Sequence, residues 1–314
     1  MKLLRPTLLA SALLCLIVAV SCQSSNTPTE TTPSNRFQGF SLLGDSLIST
    51  APSNAALQKL EEAKQDLAAD SSLDNYIWVG RFIGYTGQYR EAIAWYSQAL
   101  EQFPNESRVL RHRGHRYLSV REYGKAIADL ERAAELIEGT ENTIEPDGAP
   151  NPQGIPVSTR HGNIWYHLGL AYYLTGQYEK AREAYENCLN IELSNDDNLV
   201  SATHWLTLIL HRLNRPKDAE PYLERITDSL QVIENHSYRR TCQYYQGKLE
   251  ADSLVSLAEV TPSTIAQAYG VAAYTLAMEG TEAAKPYHQA ILATDSWASF
   301  GYLAAESDWA QFYE

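Results

Sequence analysis

The side chains most able to do chemistry are histidines set at helical intervals. His112 and His115 stand one helical turn apart, and His204 and His211 stand two turns apart on one face, with Asp196 and Asp197 just before them. Paired imidazoles near a carboxylate are the raw material of a metal site or of acid–base work. The pattern stops short of both. No acidic or cysteine residue completes a ligand set around His112 and His115, and His112 is expected to face a neighbouring helix. The alternative for His204 and His211 is that they hydrogen-bond a ligand or a loop. There is no HExxH, no Gly-rich phosphate loop after a strand and no serine nucleophile elbow. Cys188 and Cys242 are too far apart in sequence for a disulfide framework or a metal site, and are read as small buried apolar residues. The chain is therefore expected to be non-enzymatic, with no metal and no cofactor.

The elements that would position these residues follow from composition and repetition. A chain that is 44% hydrophobic and 20% charged can bury a core, and its 20 tyrosines against 2 methionines suit helix interfaces and wet grooves. A formal net charge of −13 repels phosphate backbones and anionic lipid, which argues against nucleic-acid binding. Lys2 and Arg5 precede an apolar run over Leu8 to Val20, too short to span a bilayer comfortably. The run ends at Ala19-Val20-Ser21-Cys22, which resembles the lipobox of bacterial lipoproteins. That resemblance implies removal of 1–21, lipidation of Cys22 and export. With Gln23 following, it further implies anchorage in the outer membrane facing the periplasm. The Ser-, Thr- and Pro-rich stretch that follows reads as a flexible tether over 22–50.

From residue 73 a pattern recurs at a spacing of about 34 residues. Tyr76-Ile77-Trp78-Val79-Gly80 leads to Ile83, Gly87, Tyr89, Ala92, Tyr96 and Ala99. Leu110, Gly114, Tyr117, Tyr123, Ala126 and Leu130 repeat it, as do Trp165, Leu168, Gly169, Tyr172, Gly176, Tyr178, Ala181 and Tyr185. The glycines and alanines let two helices cross closely, and Gly87 and Gly176 end the first helix of each pair. Arg121 stands at the equivalent turn of the second pair. The series resembles the tetratricopeptide repeat, which implies an all-α right-handed superhelix of about five to six antiparallel helix pairs with no β-sheet. A capping helix is expected over 51–72, repeats over 73–138 and 162–228, degenerate repeats over 229–294 and a C-terminal capping helix over 295–314. Between the second and third repeats, 139–161 forms an insert rich in turn formers that carries Ile144, Ile155 and Val157, read as an ordered loop folded against the array.

In the tetratricopeptide family the first helix of each pair lines a concave surface. Carried over, the resemblance places Asp74, Arg81, Tyr85, Arg108, Arg111, His115, Asn163, Tyr166, Tyr173, His204, His211 and Arg212 on that groove. Two readings stand. The arginines receive carboxylates from an acidic protein or peptide partner, with the membrane touched only through Cys22. Alternatively they pair with Asp74, Glu106 or the insert's Glu145 and Asp147 and hold the loop down. The first makes the protein an adaptor at the cell envelope; a small-anion-binding or enzymatic pocket closed by 139–161 is the alternative function.

Overall fold

Small residues at fixed intervals decide how the helices pack. In a computed structural model that describes residues 36–313, helix pairs follow one another: α2 (Leu73–Tyr85) with α3 (Tyr89–Gln102), α4 (Ser107–Ser119) with α5 (Tyr123–Ile137), and α6 (Arg160–Leu174) with α7 (Tyr178–Leu189). α1 (Asn54–Ala69) covers the start of the array, its first turn capped by the Ser53 hydroxyl. Gly169 shows the packing logic. A Cβ there would lie 2.6 Å from the Tyr185 ring, so the glycine is the space that the tyrosine fills. Gly169→Ala is expected to cost about 1–3 kcal/mol through overpacking, read as a lower midpoint in chemical denaturation; an unchanged midpoint would mean that Tyr185 moves freely.

The chain is an all-α solenoid whose regularity fades towards the C-terminus. α8 (Asp196–Arg212) is long and almost wholly buried, but its partner is reduced to a 3-10 turn over Pro216–Ala219 and the single-turn α9 (Glu220–Leu223). Pro216 and Pro221 account for this, since each removes a backbone donor within a short span. α10 (His236–Tyr245) has no regular partner helix, while α11 (Ile265–Glu279) and α12 (Thr281–Leu292) form a last full pair.

Two elements depart from the sequence expectation. Residues 36–50, expected within the flexible tether of an all-helical chain, hold a small antiparallel hairpin, β1 (Phe37–Phe40) with β2 (Ser46–Ile48). Its turn is closed by the Ser41 hydroxyl, which accepts from the Leu43 and Asp45 N–H groups. The hairpin is held from outside as well: Arg90 Nε donates to Gln38 O at 2.5 Å, and Ser49 Oγ to Gly87 O at 2.5 Å. α13 (Phe300–Phe312), expected as a terminal cap, packs on α11 and α12 and also reaches the inner side of the array at α6. Ser307 Oγ donates to Leu174 O at 2.8 Å, and the Leu42 N–H donates to Glu306 at 2.6 Å. The C-terminal helix thus meets the N-terminal hairpin and the middle repeats. The leader over 1–21, Cys22 and the first part of the tether lie outside the described residues.

Candidate functional site

The first helices of successive pairs touch one another along the array, which aligns their inward faces. Arg81 comes from α2, Arg111, His112 and His115 from α4, and Asn163 and His167 from α6. The 139–161 loop crosses this face, its two arms paired by Glu145 N–H to Ser158 O (3.0 Å) and Arg160 N–H to Thr143 O (2.9 Å). Asn142 and Asn195 fasten the arms to the array. Asn142 Nδ2 donates to Glu192 O at 2.7 Å and Asn195 Nδ2 to Val157 O at 2.8 Å.

This geometry delivers one side chain, Glu145, into the groove. Its Oε1 receives the Arg111 guanidinium, lies 3.9 Å from Arg81 Nη1 and 3.3 Å from His112 Nε2, while its Oε2 accepts from Asn163 Nδ2 at 2.9 Å. Arg81 also donates to Pro146 O at 2.7 Å and lies over the Trp78 ring. The partners assign the His112 proton: Arg111 Nη1 donates towards Nδ1 at 3.2 Å, so Nε2 carries the hydrogen and faces the carboxylate. Burial, then Arg111 and Arg81, hold His112 far below the usual histidine range, so it serves as a neutral donor. His112 also stacks on Tyr96 of the neighbouring α3, at 5.6 Å between ring centroids. Burial and the adjacent Arg81 lower Arg111 to about 9, still charged at neutral pH. Two arginines, an imidazole and an amide on one carboxylate make a complete anion seat, already occupied by the chain's own loop.

The remaining expected groove residues lie in different surroundings. Asp74 and Arg108 pair with each other at 2.5 Å, and Arg108 also reaches Glu106 at 3.3 Å, so this cation is neutralised locally. Tyr85 stays half-exposed beneath the loop, where a Cβ on Gly148 would lie 2.6 Å from its ring. His115 packs on His167 and on Phe300 of α13, with ring centroids at 4.5 and 5.2 Å.

Tyr166, Tyr173, His204 and Arg212 face other parts of the chain rather than an open groove. Tyr166 links Tyr238 and Trp205, Tyr173 bonds Tyr269 at 2.6 Å, and His204 is buried against Tyr245. Arg212 pairs with Asp308 of α13 at 2.6 Å. His211, half-buried, packs on Tyr274. The reason is curvature: with few regular second helices after α8, elements α10, α11 and α13 fold onto the inner face. Asp196 and Asp197, considered beside the histidines, instead accept backbone N–H groups of Gln231 and of Ile233 to Asn235. Cys188 and Cys242 are free and buried.

The helix repeat did not reveal the clamp that holds α13. Arg121 adopts φ 63°, a left-handed turn conformation, and its guanidinium donates to Glu306 (Nη2 to Oε2, 2.5 Å), Trp297 O (2.8 Å) and Ser119 O (2.6 Å). The signal was in the sequence as an arginine where two other repeats place glycine.

Cavities under and beside the loop include one of ≈ 200 Å³ around Arg81, Arg116 and Glu145 and one of ≈ 250 Å³ around Asn163, Asn198 and Tyr238. Among the described residues no helix is long and apolar enough to cross a membrane. Comparison with known proteins gives a tetratricopeptide repeat match over residues 160–231. Among solved structures the chain is similar to YrrB, a TPR protein with an unusual peptide-binding site, at 13% identity and a TM-score of 0.42, over 74% of this chain and 92% of that one. No curated protein matches the chain.

Proposed function

Taking as premise that this chain carries tetratricopeptide repeats, we propose that it is a non-enzymatic protein-interaction scaffold whose inner face receives an acidic segment of a protein partner. The observation that carries this reading is the Glu145 carboxylate, held by Arg81, Arg111, His112 and Asn163. A seat that grips one carboxylate this completely is chemically competent to grip another. The loop then acts as a resident competitor that an acidic partner displaces. Repeat arrays present extended surfaces for such contacts, and a displaceable self-segment sets the affinity threshold a partner must exceed.

The address belongs to the same proposal. Lys2, Arg5, the apolar run and Ala19-Val20-Ser21-Cys22 support an exported lipoprotein held at the envelope by an acylated Cys22, on the periplasmic side of an outer membrane.

A fluorescein-labelled synthetic peptide rich in glutamate tests the recognition step by fluorescence polarisation. Glu145→Gln, which weakens the competitor, should tighten binding about tenfold, and adding Arg81→Gln in that background should weaken it about tenfold, each about 1.4 kcal/mol. A peptide that binds equally to the wild type and to both variants, or to none of them, removes the reading.

A further inference from the structure

We propose that Arg116 is the seat of a small organic monoanion, such as an acidic sugar, bound beneath the 139–161 loop while the loop stays in place. This site lies beyond the partner-binding reading, because it uses a cation that Glu145 does not touch. The ≈ 200 Å³ cavity is lined by Arg81, Arg111 and Arg116 and by the loop's Glu145 and Asp147. Glu145 engages Arg81 and Arg111. Arg116 makes no ion pair among the described residues: its Nη2 lies 2.7 Å from His115 Nδ1, and its guanidinium sits 5.2 Å from the Tyr89 ring centroid. Asp147 shares the cavity and makes no ion pair among the described residues, and burial together with Glu234 raises its pKa.

The half-buried Arg116 therefore leaves the cavity with a surplus of positive charge that the loop does not cancel. Gly84 makes room for it, since a Cβ there would lie 3.2 Å from Arg116 Nη1. The charge balance also selects the ligand. A dianion such as phosphate would meet Glu145 and Asp147 at close range, whereas a single carboxylate neutralises one guanidinium. His115 and His167 are held neutral by burial and by the surrounding arginines, so they offer hydrogen bonds without added charge.

Size and lining set the rest of the ligand. At about 30 Å³ per water, the ≈ 200 Å³ cavity has the capacity of a small organic acid. It adjoins the ≈ 250 Å³ cavity through Ser158, Asn163 and His167, and that second space adds Asn198, Ser201 and the Tyr238 ring. Amides, hydroxyls and an aromatic face suit a body rich in hydroxyl or amide groups.

Isothermal titration of the full chain with sodium glucuronate, N-acetylneuraminate and lactate tests the site, with glucose and inorganic phosphate as comparators. The expected result is that at least one of the three carboxylates binds with Kd below about 1 mM. Arg116→Gln should bind it at least tenfold more weakly with an unchanged circular dichroism spectrum, and Arg116→Lys should retain part of the binding. The proposal fails if no carboxylate binds the wild type, if Arg116→Gln binds as well as the wild type, or if glucose or phosphate binds as tightly. Carboxylate binding without Glu-rich peptide binding removes the partner reading alone; peptide binding without carboxylate binding removes this one alone.

Discussion

Glu306→Gln should lower the stability of the folded chain by about 3–5 kcal/mol, the largest effect expected of a single charge removal here. Arg121 and Glu306 have side-chain exposures of 3% and 0%, so neither ion has water to fall back on. The guanidinium grips the carboxylate with Nη2 at 2.5 Å and Nε at 3.2 Å, and two further hydrogens go to the Ser119 and Trp297 carbonyls. Removing the negative charge leaves a buried cation with only dipoles around it, which is the expensive half of breaking a buried pair. Glu306 also accepts the Leu42 N–H, so the substitution loosens the hairpin as well as α13. Urea denaturation measures the loss. A change below about 1 kcal/mol, the range of an exposed pair, would mean that water reaches Arg121 and that α13 is not clamped.

The second large effect is local. Glu145→Gln takes the charge from a carboxylate that holds Arg111, Arg81 and His112, worth about 2 kcal/mol for hydrogen bonds to a charged group. Because the loop can lift and let water reach Arg111, the cost should appear as opening of 139–161 rather than as global unfolding. The open population should rise about thirtyfold, visible as faster protease cleavage between Pro146 and Pro156 with the global midpoint little changed. Equal cleavage rates would show that Asn142, Asn195 and the paired loop arms hold the loop without Glu145.

The helix pairs were legible because their signal is local. Gly80, Gly114 and Gly169 with Ala92, Ala126 and Ala181 specify close crossings within a repeat, and the helices fall where that spacing puts them. The insert was legible too, as a break in the spacing with apolar residues inside it. What the pattern does not encode is which residues of an inward face remain accessible. Tyr173 and His204 occupy groove positions by register, yet both are buried because α10 and α11 fold onto them. That is a contact between residues far apart in sequence, beyond any helical period. The hairpin at 37–48 was hidden in the same way: its strands are too short to show alternation, and much of what holds it comes from Arg90, Gly87 and Glu306. Of the two readings of the groove arginines, the geometry joins them. The arginines do pair with the chain's own acids, and in doing so Arg81 and Arg111 display the seat that a partner's carboxylate would take.

The most direct measurement is amide hydrogen exchange at Glu145 and Arg160, whose N–H groups pair the two loop arms, recorded with and without saturating Glu-rich peptide. If a partner carboxylate takes the place of Glu145, both amides exchange faster in the complex while those of α4 and of α6 beyond its first turn do not. Unchanged or slower exchange at Glu145 and Arg160 in a demonstrably peptide-saturated sample contradicts displacement of the loop.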